Sequence, residues 1–125
     1  MLREEKLANF WITSLNRELN MRAMQILLMF DLPVKTKALR KVYTSFHRFL
    51  LNNGFDMIQF SVYVRHCSNY ESAQAHVDRL SLASPKRGSI RYLIITEKQF
   101  AEMGILVGKR TTQEFVNDGS QLAFF

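Results

Sequence analysis

The chain has 125 residues, of which 47% are hydrophobic, and it carries a net charge of +6 with a pI near 9.8. This size and apolar content indicate one domain with a real core and argue against disorder. The single cysteine excludes an internal disulfide. Because no apolar run approaches the roughly 18 residues of a membrane helix and no signal peptide is evident, we expect a cytoplasmic protein with no membrane partner.

Residues 1–20 are predicted to be a helical N-terminal extension. Their three acids and three bases balance, and Leu7, Phe10 and Trp11 recur at helical spacing. The segment is either an appended amphipathic helix or the product of an upstream start codon, with Met21 as the alternative start.

The first predicted strand, residues 24–30, is a continuous apolar run of the kind buried on both faces of a sheet. It stops at Asp31, and Pro33 cannot continue a strand because it lacks a backbone N–H. A carboxylate at this junction either accepts N–H bonds from the turn or binds a cation or metal ion. The residues themselves leave both interpretations open.

A first helix is predicted over residues 36–52, because Leu39, Val42 and Phe46 follow helical spacing. Gly54 stands where a glycine commonly ends a helix. This helix should therefore bury one side and leave the other in solvent.

Basic residues cluster in two acid-free segments, residues 35–50 and 79–91. At about 100° per residue, Lys37, Lys41 and Arg48 lie within roughly 40° of each other, opposite the apolar side of the first helix. Two such segments suggest a polyanion partner, although a merely solvated basic face gives the same pattern. The candidate nucleic-acid-binding residues are Lys37, Arg40, Lys41, Arg48, Arg79, Lys86, Arg87 and Arg91.

The middle of the chain predicts two strand segments and a second helix. Residues 55–66 change phase near Ile58 and Gln59, which indicates a bend or tight turn between strands. Ser68 and Glu71 then match a capping box at the start of a helix that runs to about residue 82. The predicted inner face of this helix is Tyr70, Ala73, Val77 and Leu80.

The remaining elements complete an α+β pattern. They are a strand at residues 89–96, one helical turn, and a short fifth strand at residues 104–108. The tail, residues 109–125, ends in "LAFF", and such apolar groups usually dock on the chain or on a partner. The order β-α-β-β-α-β plus an extra strand predicts a ferredoxin-like domain over residues 21–108, with both helices on one face of an antiparallel sheet.

Four stretches, "ILLMFDLPV", "GFDMIQFSVYVR", "GSIRYLIIT" and "EKQF" with "ILVG", together resemble the CRISPR-associated Cas2 family, in the branch that accompanies type II systems. The resemblance covers residues 21–108. It implies a symmetric homodimer whose C-terminal strands cross to the partner's sheet. It also implies a role in spacer acquisition, in which the dimer binds double-stranded DNA and bridges dimers of the Cas1 integrase.

The same resemblance implies an alternative function, metal-dependent cleavage of RNA or DNA. Asp31 would be the catalytic and metal-binding residue at the dimer axis, with Mg²⁺ or Mn²⁺ as cofactor and single-stranded RNA as a further partner. The motif "QFSVYV" implies that Ser61 and Tyr63 lie beside Asp31. Met57 stands where some nucleolytic members have a basic residue, and this departure favours spacer acquisition over cleavage.

A third function class is a stand-alone RNA-binding module of ferredoxin-like fold. Such a module stacks bases on aromatic side chains exposed on its sheet. The aromatic residues here mostly occupy core-facing positions of the predicted strands, so this class ranks last.

Overall fold

The computed structural model of the protein describes residues 4–11 and 22–110. Residues 4–11, within the N-terminal extension, lie in a helix, α1. The rest of the extension and the tail from residue 111 lie outside the described residues. The further elements are β1 (Met24–Asp31), α2 (Lys37–Asn52), β2 (Asp56–Gln59), β3 (Val62–Cys67), α3 (Tyr70–Ala83), β4 (Ser89–Thr96) and α4 (Glu97–Ala101).

The four strands form one sheet in the order β2-β3-β1-β4, and every neighbouring pair is antiparallel. This confirms the α+β class and the predicted element order from β1 to β4. The predicted break between two strand segments is the turn between β2 and β3, with a register irregularity between Met57 and Gln59.

Both long helices pack on the face of the sheet to which the even-numbered residues of β1 point. Ile26, Leu28 and Phe30 are buried there. The ring of Phe30 meets that of Phe46 in α2 edge-on, with centroids 5.2 Å apart. Val77 of α3 belongs to the same buried cluster. Because side chains alternate along a strand, one face of β1 supplies the core that holds both helices.

The opposite face of the sheet carries neither α2 nor α3, and we call it the helix-free face. There the odd-numbered residues of β1 pair with odd residues of β4, Leu27 with Leu93 and Met29 with Arg91. Met29 and Leu93 are exposed. The prediction that β1 is buried on both faces is therefore wrong for the C-terminal half of this strand, where the helices cover only one face.

Helix α2 begins and ends as its sequence predicts. The Thr36 hydroxyl accepts a hydrogen bond from the backbone N–H of Leu39 at 3.1 Å and so caps the first turn. At the other end the chain turns through Gly54, whose φ of +83° is a conformation that favours glycine.

Helix α3 begins one residue later than predicted. The side chain of Asn69, not that of Ser68, caps it by accepting a 2.7 Å hydrogen bond from the N–H of Ser72. The predicted capping box of Ser68 and Glu71 is therefore wrong, because the shift places Ser72 at the third helical position. Tyr70, the first helical residue, is also exposed instead of lying on the inner face.

Helix α4 is the predicted single turn after β4. It contains a complete capping box, in which Thr96 and Gln99 exchange hydrogen bonds of 3.1 and 2.9 Å. Nδ1 of His66 lies 3.0 Å from Oε1 of Glu97, which ties α4 to the helix-free side of β3. Phe100 is buried.

Residues 104–108 form no strand within residues 22–110, so the predicted fifth strand is wrong for the single chain. Leu106 and Val107 are almost fully exposed. A strand needs a neighbouring strand for its backbone hydrogen bonds, and this segment meets none among residues 4–11 and 22–110. Within the described ranges, no helix combines the length and apolar character needed to cross a membrane.

Candidate functional site

Asp31 is the last residue of β1 and pairs with Ser89 of β4. The alternation along β1 places it on the helix-free face, where its side chain is exposed. Thr36 provides the cap of α2, and no hydrogen bond or ion pair of the Asp31 carboxylate is found within residues 4–11 and 22–110. The sequence left open whether Asp31 accepts N–H bonds from the turn or binds a cation or metal ion. The first of these, a hydrogen bond from the turn to the carboxylate, is not observed among the described residues.

Gly88 allows β4 to start against the end of β1. Its φ is +84°, and a Cβ there would lie 2.4 Å from the backbone carbonyl oxygen of Asp31 and 2.9 Å from Leu32. Any other residue would push Asp31 or the start of β4 away. Sequence reasoning missed this role; the signal available was a glycine directly before an apolar strand.

Ser61 lies next to the end of β1. Its carbonyl oxygen accepts a 3.1 Å hydrogen bond from the N–H of Phe30, the residue before Asp31. Its φ of +62° is rare for a residue with a side chain. The structure thus brings the β2–β3 turn to the candidate site, as the resemblance implies.

Tyr63 lies elsewhere, and its expected position beside Asp31 is wrong. Tyr63 pairs with Leu28, so it belongs to the core face, where it is fully buried. Its hydroxyl shares a 2.5 Å hydrogen bond with Nδ1 of His47, and its ring stacks on Phe30. Burial, together with the neighbouring Tyr43, raises the pKa of Tyr63 to about 12. Tyr63 therefore joins α2 to the sheet and cannot reach a substrate at Asp31.

Arg91 is the candidate nucleic-acid-binding residue that shares a face with Asp31. It pairs with Met29, two positions before Asp31 on the helix-free face, and it is exposed. Diagonal neighbours on a sheet lie within reach of long side chains. The pair places a carboxylate and a guanidinium on the same face of the sheet.

The other candidate cations lie on α2, on α3 and in the loop between α3 and β4, where Arg87 directly precedes Gly88. Those on α2 are exposed, and Lys37, Lys41 and Arg48 form no ion pair with any of residues 4–11 and 22–110. Lys86 and Arg87 line a cleft together with apolar residues of α2, so the two basic segments adjoin. The remaining candidates, Arg40 and Arg79, are exposed on α2 and α3.

A divalent metal ion would have few ligands in one chain. Within the described part of the chain, no three His, Cys, Asp or Glu side chains lie close enough to hold a metal together. Mg²⁺ is commonly bound through one or two carboxylates, with water and substrate phosphates completing its six ligands. Asp31, exposed and without an ion pair among the described residues, fits that pattern with one carboxylate per chain.

The helix-free face is not a platform for stacking bases. Among the strand residues that the structure describes, the side chains that β1, β3 and β4 direct to it are aliphatic or polar, apart from the single imidazole ring of His66, which lies 3.0 Å from Glu97. Base stacking needs exposed rings. This argues against the stand-alone RNA-binding module.

Comparison with known proteins identifies the family. The model of the family "CRISPR associated protein Cas2" matches residues 24–103. A protein of Acidovorax ebreus named "CRISPR-associated endoribonuclease Cas2" is 52% identical over 102 residues, 82% of this chain and all of that protein. A protein of the same name from Parvibaculum lavamentivorans is 43% identical over 82% of this chain and all of that protein. One from Campylobacter jejuni is 41% identical over 82% of this chain and 71% of that protein. The chain belongs to the Cas2 family.

A solved structure named "Crystal structure of cas2" superposes with a TM-score of 0.49 at 19% identity and covers 72% of this chain and 92% of the other.

Proposed function

We propose that this protein is a metal-dependent endoribonuclease of a CRISPR system, with Asp31 as its catalytic carboxylate. The observation that carries the proposal is the exposed Asp31 carboxylate, which has no partner within the described ranges and lies at the exposed end of the helix-free face. The names of the relatives support RNA cleavage, the alternative at the sequence level, more than spacer acquisition.

The active form in this proposal is a ferredoxin-like homodimer. The element and strand orders are consistent with that fold. The helix-free face leaves Met29 and Leu93 exposed, and residues 104–108 present apolar side chains without a strand partner among the described residues. A second copy would cover both, since large uncovered apolar surface and free strand edges favour association. A symmetry axis near the end of β1 would bring two Asp31 side chains together.

In this dimer Asp31 and its symmetry mate would hold Mg²⁺ or Mn²⁺. When bound, such an ion stabilises charge on a phosphoryl oxygen and lowers the pKa of a bound water. Arg91 would contact a substrate phosphate on the same face and orient it. The turn at Ser61 would fix the position of the Asp31 backbone through its bond to Phe30.

The test is cleavage of end-labelled single-stranded RNA by wild type and Asp31→Asn, with Mg²⁺, with Mn²⁺ and with EDTA. The variant should lose about 100-fold or more in rate, and EDTA should abolish wild-type cleavage. Asp78→Asn removes an exposed carboxylate on α3 and serves as the matched control. Cleavage that survives both EDTA and Asp31→Asn would exclude Asp31 from the reaction.

A second candidate function is spacer acquisition, in which the homodimer binds duplex DNA and bridges dimers of the Cas1 integrase. The basic side of α2 favours it, because Lys37, Lys41 and Arg48 are exposed and form no ion pair within the described ranges. Phosphate contacts position a duplex without reading its bases, which suits DNA of any sequence. Integration by the complete complex should then tolerate Asp31→Asn.

The test of this candidate is duplex affinity across a salt series. Each neutralised phosphate contributes about 0.9 to the slope of log K against log salt. Replacing Lys37, Lys41 and Arg48 by Ala should weaken binding and flatten that slope. Lys98→Ala on α4, outside both basic segments, is the control and should leave the slope close to that of wild type. Equal slopes for the triple variant and wild type, with equal thermal melts, would exclude this side of α2.

A further inference from the structure

An apolar cleft lies between the start of α2 and the loop from α3 to β4. Its volume is about 490 Å³, and Leu32, Leu39, Val42 and Pro85 contribute to its walls. A second cavity of about 450 Å³ also touches Val42 and Pro85 and extends further along α2. We call the two together the α2 cleft.

Cations surround this apolar surface. Lys86 and Arg87 line one part of the α2 cleft and Lys41 lines the other. None of the three forms an ion pair within residues 4–11 and 22–110. Phosphates alone would leave the apolar walls in contact with water. The surface instead matches a peptide that carries both apolar side chains and carboxylates.

The first turn of α2 adds a further preference for negative charge. That turn begins at Thr36 and contains no acidic residue. The N-terminal turn of a helix is stabilised by a nearby carboxylate. Thr36 is itself part of the cleft wall, so a carboxylate in the cleft would lie close to this turn.

We propose that residues 111–125 of this chain dock in the α2 cleft. The segment contains Glu114 and Asp118 and no Lys or Arg, so its charge complements that of the cleft. Leu122 and Phe124 would contact the apolar walls, and Asp118 would meet the cations at the rim.

The length of the segment is sufficient. Arg110 donates a hydrogen bond to the carbonyl of Ala101 in α4, which lies beyond the end of β4 that pairs with Met24. The α2 cleft lies at the other end of β1, about 27 Å away for a strand of this length. Fifteen extended residues span up to about 50 Å, so residues 122–125 can reach the cleft.

The docking does not depend on the proposed RNA or DNA function. It does have a consequence for that function, because the docked segment would cover Lys41, Lys86 and Arg87. Nucleic acid would then have to displace residues 111–125 from these cations.

The experiment is site-specific photo-cross-linking of the full-length chain, with Phe124 replaced by p-benzoylphenylalanine. After irradiation and trypsin digestion, mass spectrometry should find the cross-link in the peptide of residues 80–86, which contains Pro85. A mixture of ¹⁴N- and ¹⁵N-labelled protein distinguishes cross-links within one chain from those between copies.

Two variants test the two parts of the recognition. Val42→Lys places a charge in the apolar wall and should reduce the cross-linked fraction severalfold, as should Asp118→Asn in the segment itself. Leu51→Lys is the matched control, since Leu51 lies on the same helix outside the cleft and is exposed to 45% against 43% for Val42.

Cross-links confined to other surfaces, cross-links only between copies, or no cross-link at all would each overturn the proposal. A cross-linked fraction that Val42→Lys and Leu51→Lys reduce equally would overturn it too. Thermal melts of the variants check that each remains folded.

Discussion

Asp31 depends for its exposed position on two neighbours that carry no charge. Thr36 caps α2 with its hydroxyl, so the carboxylate is not drawn into the turn. Gly88 lets β4 pass close to the Asp31 backbone and pair with it. At the scale of single residues, the candidate site is therefore held by backbone geometry more than by side-chain contacts.

Replacing Gly88 by Ala should destabilise the fold. The new Cβ would meet the Asp31 carbonyl at 2.4 Å, and φ at this residue is +84°. Strain of this kind costs about 1–3 kcal/mol. Urea unfolding measures it, with Gly104→Ala as the control because a Cβ at Gly104 would meet nothing within 4 Å. Equal midpoints for the two variants would contradict the close approach.

Because the pKa of Tyr63 is raised, we expect the protein to lose stability at alkaline pH. Burial raises the pKa of Tyr63 to about 12, whereas an unfolded tyrosine has a pKa of about 10. The unfolded chain thus loses this proton first, so the stabilisation is complete below pH 10 and is lost as the pH rises through about 12. Tyr63→Phe should flatten the fall in unfolding free energy over this range, measured by urea titration at several pH values. A fall as steep as in wild type would show that another group causes it.

At the scale of elements, the start of α3 depends on which of two neighbouring side chains caps the helix. Ser68 and Asn69 are both good N-cap residues, and Glu71 favours the former through a capping box. In the folded chain Asn69 takes an extended backbone conformation, with φ of −159°, and its side chain reaches the N–H of Ser72. β3 ends at Cys67 and α3 begins at Tyr70, so the backbone conformation of Ser68 and Asn69 determines where the helix begins.

Substitution of the two residues separates the alternatives. Asn69→Ala removes the observed cap and should lower the unfolding free energy by about 1 kcal/mol. Ser68→Ala should change it by less than about 0.5 kcal/mol, as at other exposed positions. Chemical denaturation of both variants gives the comparison, and a larger effect at Ser68 would restore the sequence-based assignment.

At the scale of the whole molecule, the two long helices cover only one side of the sheet. The even residues of β1 meet α2 and α3, while the helix-free face exposes Met29 and Leu93 next to Asp31. The proposed second copy would exclude water from this face and add a second carboxylate to the site. Dimerisation and any metal binding at Asp31 are then linked.

Leu93→Glu should therefore convert the proposed homodimer to a monomer of 14.6 kDa in sedimentation velocity. In the dimer, the carboxylate that this substitution introduces would be buried without a partner. Burying it would cost several kcal/mol of association free energy and so disfavour the dimer. Leu82→Glu is the control, since Leu82 is 90% exposed on α3, away from the helix-free face. If Leu93→Glu sediments as wild type does, the helix-free face is not the interface.

The sequence by itself determined the order of elements, the bounds of α2 and β4, and the position of Asp31 at a strand end. These depend on local signals, namely apolar periodicity, proline and glycine, which act over a few residues. It also determined that the basic side of α2 faces solvent, because helical periodicity fixes that side relative to the apolar one.

Only the tertiary structure decided which face of the sheet each residue joins. Ser61 and Tyr63 have the same parity, but Ser61 lies in the β2–β3 turn, outside the strand. The pairing register between β1 and β3 sets Tyr63 opposite Leu28, and this determines that Tyr63 faces the helices and not Asp31. The same holds for Gly88, whose role appears only when β4 lies against Asp31. It holds also for residues 104–108, whose strand pattern has no partner strand in the part of the chain that the structure describes. Contacts between residues distant in sequence depend on register and packing, which local patterns do not specify.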